Sequence, residues 1–184
     1  MSPARLAALA LALLAFGCAA TQEPSVLALD RMGRSSSVEP GIARLDVRLR
    51  EALRAATAAA EVDGVDIVVN SGWRSRAQQA QLFEAAVAEH GSEAAAAAWV
   101  ARPGTSAHEA GLAVDVGPQR AADWLAEHGA DHGLCRVYDN EPWHFELDPA
   151  APDRGCPPTY ADPTDDPRLQ GRGTRSGRLS PAGG

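Results

Sequence analysis

A basic face is missing from this sequence. Its 184 residues carry 17 Lys and Arg against 24 Asp and Glu, a formal net charge of −7. Phosphate binding needs clustered cations, so this balance argues against a nucleic-acid partner. Aromatic residues are few, at 5%, and much of the 45% apolar fraction is alanine. That composition suits alanine-rich helices packed on a small sheet. Internal repeats are absent. So is an apolar run long enough to cross a bilayer, because the stretch at residues 6–16 falls well short of the roughly 20 residues needed. Only Arg5 precedes it as a charge, and it has no polar face, which fits the core of a secretory signal better than a buried helix. Residues 1–20 are therefore expected to direct export. Ala15, Phe16, Gly17 and Cys18 resemble a loose lipobox whose processing would leave Cys18 lipidated and the protein tethered to a membrane. Cleavage after Ala20 would release it instead. The lipobox is the preferred reading.

Cysteine is scarce, with three in the whole chain. No Cys-rich cluster exists to hold a metal. With Cys18 assigned to the leader, Cys135 and Cys156 remain as a pair, and in an oxidising compartment they are expected to form a disulfide.

Residues 21–40 are polar and proline-bearing, as in a linker. From 42 to about 62 the pattern turns helical, with Ile42, Leu45, Val47, Leu49, Leu53 and Ala56 near one face. Asp63-Gly64 marks a turn, and 65–69 reads as a buried β-branched strand. Helices are expected at 75–88 and, capped by Ser92, at 92–100. Arg102-Pro103-Gly104-Thr105 breaks the chain. Residues 110–116 read as a strand and 121–128 as a short helix stopped by Gly129. Residues 143–147 alternate, placing Trp143, Phe145 and Leu147 on one side and His144 and Glu146 on the other. After Tyr160 apolar residues almost vanish, and 161–184 read as a disordered tail. The expected fold is a small α+β domain over residues 41–160, a central antiparallel sheet with flanking helices.

The chemistry lies in three segments. His108-Glu109 suggests a zinc helix of the HExxH kind, but Leu112 stands where the second histidine must be. Catalytic zinc takes three protein ligands and leaves a position for water, and His108, Asp115 and His144 supply two imidazoles and a carboxylate. Seven residues along a straight strand would put His108 and Asp115 on opposite faces, so a bend is required, and Gly111 can supply it. Asp115 lies inside an apolar run, where an aspartate is costly to bury unless paired or metal-bound. Glu141, three residues before His144, is a candidate proton acceptor for an activated water. Glu109 competes for that role, and strand alternation does not separate the two. Arg74 follows the first strand at a Ser-Gly turn, where a guanidinium can hold a carboxylate or steady an oxyanion. His90, His128 and His132 lie in no comparable setting.

These residues resemble the VanY-type D-Ala-D-Ala carboxypeptidases, zinc peptidases that share the fold of the hedgehog signalling domain. The pattern S-x-H-x-x-G-x-A-x-D is filled at 106–115, E-x-W-H at 141–144, and aromatic-Arg-Ser with a following Gln and Leu by Trp73, Arg74, Ser75, Gln79 and Leu82. Trp73 replaces the commoner Tyr of the pattern, and Glu109 the commoner Gln. The resemblance implies one Zn2+ per chain held by His108, Asp115 and His144, with Glu141 as the base. It implies further that Arg74, Ser106, Gln79 and Trp143 face the substrate, a peptidoglycan stem peptide. Alternatives within the same fold are a dipeptidase, an endopeptidase and a non-enzymatic zinc-bearing wall-binding module.

Overall fold

The computed structural model describes residues 41–170. The expected leader, Cys18 and linker lie outside the described residues, as do residues 171–184. Mixed helix and sheet are found as expected. Four strands, β1 (Val68–Ser71), β2 (Ala113–Gly117), β3 (Leu134–Arg136) and β4 (His144–Leu147), form one antiparallel sheet in the order β1-β2-β4-β3. The principal helices are α1 (Val47–Val62), α2 (Arg76–His90) and α4 (Gln119–His128), with the single turn α3 (Glu93–Ala96) after α2.

Helices α1 and α4 cover one face of the sheet. Leu49, Leu53 and Ala56 of α1 and Ala122 and Leu125 of α4 close on Val114, Val116, Leu134 and Phe145. The period of two puts Val114 and Val116 on this face and turns Asp115, between them, to the other. β2 is buried along its whole length. The far face therefore carries polar groups inside a covered strand, and this is where the site lies.

Several local expectations are revised. The helix expected from residue 42 is broken. Residues 41–43 make a separate turn, and α1 begins only after Asp46, whose side chain accepts from the Arg48 amide as an N-cap. Val47, expected on the buried face, is consequently exposed. β1 starts later than expected and is a half-exposed edge strand paired only with β2, so it is not buried. The helix expected at 92–100 keeps its Ser92 cap but lasts one turn. α4 does end at His128 with Gly129 as its C-cap, as expected, but Gly129 is right-handed and the chain continues as a 3-10 turn that Gly133, with φ of 74°, closes in the left-handed conformation. β3 was not foreseen.

The largest revision concerns the expected tail. Residues 161–170 fold onto the domain: Asp162 caps the 3-10 turn Pro163–Asp165, α6 (Pro167–Gln170) follows, and Asp166 is fully buried. Tyr138 explains this, because its hydroxyl donates to Asp166 at 2.9 Å and gives an otherwise polar stretch an anchor. The folded unit thus reaches residue 170, beyond the expected boundary at 160.

Cys135, on β3, and Cys156, just after the short helix α5 (Ala151–Arg154), are disulfide-bonded. The bond closes 21 residues of chain separation and encloses Glu141 and β4. On the chain-entropy account a loop of this length contributes about 3 kcal/mol. Cys135→Ser with Cys156→Ser should lower stability by that order in denaturant titration, while peptide mapping of the unreduced protein should recover the two cysteines as one cross-linked peptide.

Candidate metal centre

Register does the first part of the assembly. Asp115 of β2 stands directly opposite His144 of β4, so both side chains leave the same face of the sheet. His108 arrives from a different direction. Residues 107–111 form turns, with Gly111 N–H donating to the His108 carbonyl at 3.1 Å and Leu112 N–H to that of Ala107 at 2.9 Å. Gly111 has φ of 70°, and a Cβ there would lie 2.7 Å from the Arg44 carbonyl oxygen. Only glycine satisfies both the left-handed backbone and this close approach. The bend required by the spacing of His108 and Asp115 is therefore supplied at Gly111.

The three side chains meet. Nε2 of His108, Nδ1 of His144 and Oδ1 of Asp115 stand 3.2 Å from one another, pair by pair. A tetrahedral site with bonds of about 2.0–2.1 Å has edges of about 3.3–3.4 Å, so these donors match one face of such a site. Among the described residues, this trio of buried and half-buried groups forms a cluster able to hold a metal ion.

The remaining atoms of each group are held in place. His108 Nδ1–H donates to the Gly72 carbonyl at 2.7 Å, which leaves its Nε2 lone pair aimed at the cluster. His144 uses the opposite arrangement: Nδ1 faces the cluster while Nε2–H donates to Glu146 Oε1 at 3.3 Å. Asp115 turns Oδ2 to an ion pair with Arg74. Outer partners of this kind fix tautomer and ring orientation in metal sites.

Electrostatics follow from burial and pairing. At Asp115 burial opposes ionisation, but the hydrogen bonds with His108 and His144 outweigh it and hold the carboxyl well below the usual carboxylate range. Burial also opposes charge on His144, yet its bonds to Asp115 and Glu146 lift that ring to about 9. His108 is lowered, mainly by burial. The metal-free site thus holds one ionised carboxylate, one neutral imidazole and one that a metal must deprotonate.

Glu141, Trp143, Ser106, Gln79 and Arg74 line the same cleft as His108, Asp115 and His144. The cleft encloses about 170 Å³, less than the roughly 300–1,000 Å³ of pockets that engulf a drug-sized ligand. Burial pushes the Glu141 carboxyl up to about 7. Glu109 does not line the cleft, and its carboxylate accepts from the Gly104 amide at 2.7 Å. Of the two carboxylates that strand alternation left in competition, Glu141 is therefore the one that shares the cleft with His108, Asp115 and His144. Trp73 is also turned away from the cleft, its Nε1–H donating to the Glu109 carbonyl at 3.1 Å, so both departures from the family pattern stabilise the neighbouring loops and do not face the cavity.

Gln79 is 1% exposed, and its amide is engaged on both sides: Oε1 accepts from Arg74 at 3.3 Å and Nε2 donates to the Ala101 carbonyl at 2.8 Å. Its place is to hold Arg74, together with Ser71, whose hydroxyl accepts from Arg74 Nε at 2.9 Å. Ser106 accepts the His108 amide at 3.2 Å and presents its side chain at the cleft wall. Trp143, which the family resemblance places facing the substrate, lines the cleft and is 40% exposed, since β4 begins only at His144. Glu146 was not singled out as a site residue, although strand alternation had already put it beside His144.

The comparisons with known proteins agree with this geometry. A family model described as VanY, D-alanyl-D-alanine carboxypeptidase, matches residues 42–149. The chain belongs to the VanY family. A D-alanyl-D-alanine carboxypeptidase of Enterococcus faecalis (strain ATCC 700802 / V583) is 34% identical over 127 residues, covering 55% of this chain and 47% of the relative. The chain thus spans about half the length of that curated VanY-family relative. Among solved structures, a mutant of the vancomycin resistance D,D-pentapeptidase VanY in complex with Zn(II) is 34% identical with a TM-score of 0.54, over 56% of this chain and 72% of that one. VanYB in complex with D-alanine-D-alanine is 32% identical at the same TM-score, over 56% and 71%. The LdcB LD-carboxypeptidase is 26% identical with a TM-score of 0.52, over 58% and 61%.

Proposed function

We propose that this protein is a zinc-dependent carboxypeptidase acting on the D-Ala-D-Ala end of peptidoglycan stem peptides. The observation that carries the reading is the triangle of donors from His108, Asp115 and His144 in one small cleft with a carboxyl, Glu141, that burial holds close to neutrality. Family membership and the named ligands of the two VanY relatives support zinc and the D-Ala-D-Ala substrate.

Zinc in this site supplies Lewis-acid chemistry, polarising a carbonyl oxygen and acidifying water. Glu141 removes the proton of the attacking water and passes it to the departing amine as the C–N bond breaks. Burial raises this carboxyl above its ordinary range, which suits a group that must take up a proton and then give it back. Arg74, braced by Ser71 and Gln79, pairs with Asp115 and keeps it aimed, and presents cationic character to the substrate. Ser106 offers a hydroxyl at the wall, and Trp143 a flat apolar surface at the mouth. The small cavity suits a chain terminus with methyl side chains.

Digestion of defined muropeptides with product masses read directly tests the assignment. Pentapeptide stems should lose a single alanine. Release of a dipeptide, or cutting inside the stem, would replace the carboxypeptidase reading with one of its relatives, and binding without any cleavage would leave a wall-binding module. The similarity to an LD-carboxypeptidase makes tetrapeptide stems the necessary second substrate.

Action outside the cytoplasm accords with the family and with the disulfide. Among the described residues no helix is long and apolar enough to cross a membrane. The proposed anchor is a lipid on Cys18, on the strength of the lipobox-like run Ala15, Phe16, Gly17 and Cys18. Intact mass of the envelope-associated protein should show a lipidated chain beginning at Cys18, whereas a start near Thr21 would mean a free secreted form.

A further inference from the structure

The segment that follows the family match reaches back to the metal centre. The match ends at residue 149, whereas Arg168, on α6, donates from Nη1 to Glu146 Oε2 at 2.7 Å and from Nη2 to Oε1 at 3.4 Å. Glu146 in turn accepts from His144 Nε2–H at 3.3 Å. The other edge of the guanidinium grips Asp166, with Nε 2.9 Å from each carboxylate oxygen, and Asp166 accepts from the Tyr138 hydroxyl at 2.9 Å. A continuous chain of charge-assisted bonds therefore runs from Tyr138 through Asp166, Arg168 and Glu146 to the ring of His144. Glu146 is 12% exposed at its side chain and Asp166 not at all, while Arg168 between them is 47% exposed, so the two carboxylates are shielded and the guanidinium that joins them meets water on one side. Pro163 and Leu169 of the same segment form part of the cleft wall.

We infer that Arg168 is a positioning residue of the metal site, acting through Glu146 to fix the ring of His144 with Nδ1 toward the ion. The geometry carries this. A carboxylate on a strand can turn about its own side-chain torsions, and a single long bond to an imidazole does little to stop it. Two contacts from a planar guanidinium that is itself held by Asp166 remove that freedom. With Glu146 fixed, Nε2–H has one acceptor in one place, and Nδ1 stays in the triangle. The inference rests on His144 being a ligand of the proposed zinc site. It adds that a segment beyond the family match is part of that site.

Zinc affinity, measured by competition with a chromogenic chelator, tests it on four purified full chains: wild type, Arg168→Ala, Glu146→Gln and the double variant. Lost outer partners typically cost about 10–100-fold in metal affinity, so each single variant should bind zinc about 10-fold more weakly or worse. If Arg168 acts through Glu146, the double variant should bind as weakly as Glu146→Gln and no more so. A merely structural role would give multiplying losses. Arg168→Lys should recover part of the affinity, since an ammonium can bond Glu146 but cannot also hold Asp166 in the same plane. Should Arg168→Ala fail to fold, Glu146→Gln, which keeps size and shape, still decides. Wild-type affinity in Glu146→Gln, or losses that multiply in the double variant, would overturn the inference. A wild type that takes up no zinc would instead refute the metal reading beneath it.

Discussion

Glu141→Gln should slow hydrolysis of a pentapeptide stem by about 10²–10⁴-fold, the usual worth of a positioned general base, while zinc content stays at the wild-type level. The amide keeps the size of the carboxyl but cannot accept the water's proton. The Glu141 side chain belongs to none of the bonds that hold His108, Asp115 and His144; only its backbone carbonyl accepts from His144 N–H, at 3.0 Å, and the substitution leaves that bond in place, so the metal site should not notice the change. The pH dependence gives a second reading of the same residue. Burial lifts its carboxyl from 4.5 to about 7 in the metal-free protein, and a nearby dication pulls it back down. Because the base must be ionised, kcat/KM should fall as pH drops through a value at or below 7, and the residual activity of Glu141→Gln should lack that limb. Stability moves the other way. A folded-state value above the unfolded one means the native protein binds the proton more tightly. The metal-free protein therefore bears no cost from Glu141 below about 4.5 and acquires it as pH rises towards 7, where it is fully present. Chemical denaturation of the two metal-free proteins should show Glu141→Gln gaining on the wild type over that interval. Wild-type turnover by Glu141→Gln would place the proton transfer elsewhere.

Replacing a ligating group should empty the site. His108→Ala and His144→Ala each leave two donors where catalytic zinc needs three, and the loss of affinity should exceed the roughly 10–100-fold that an outer partner costs. Metal analysis after dialysis should find about one zinc per wild-type chain and little in either variant. His128→Ala, at a remote cluster with Trp124, should retain it. Binding should also depend on pH in a defined sense. The bonds from Asp115 and Glu146 overcome burial and hold a proton on His144 up to about 9, so at neutral pH the ion must displace it. Calorimetry in buffers of different ionisation enthalpy should register about one proton released per ion, and affinity should weaken as pH falls. Full hydrolytic activity after exhaustive chelation would remove zinc from the mechanism.

Much of this site was legible in the chain itself. The spacing of His108, Gly111 and Asp115 demands a bend, and the structure puts a left-handed glycine there. Alternation over 143–147 places His144 and Glu146 on one face, and they are neighbours. Short-range patterns succeed at such points because the backbone period alone decides which side chains share a face. The choice between Glu141 and Glu109 was of another kind. Strand alternation does not separate them, the family resemblance alone favours Glu141, and the packing of the loop at Gly104 is what draws the Glu109 carboxylate away from the cleft. Residues 161–170 show the limit most clearly. Their composition is that of a solvated tail, with little apolar surface to bury, and no local preference predicts a fold. They are ordered by partners far away in sequence, the Tyr138 hydroxyl and the Glu146 carboxylate, whose own positions depend on the completed sheet. A lone Asp or Arg carries no mark in the sequence of the buried partner it will meet. Tertiary structure alone decides that, because the strength of such a bond depends on the water the fold excludes around it.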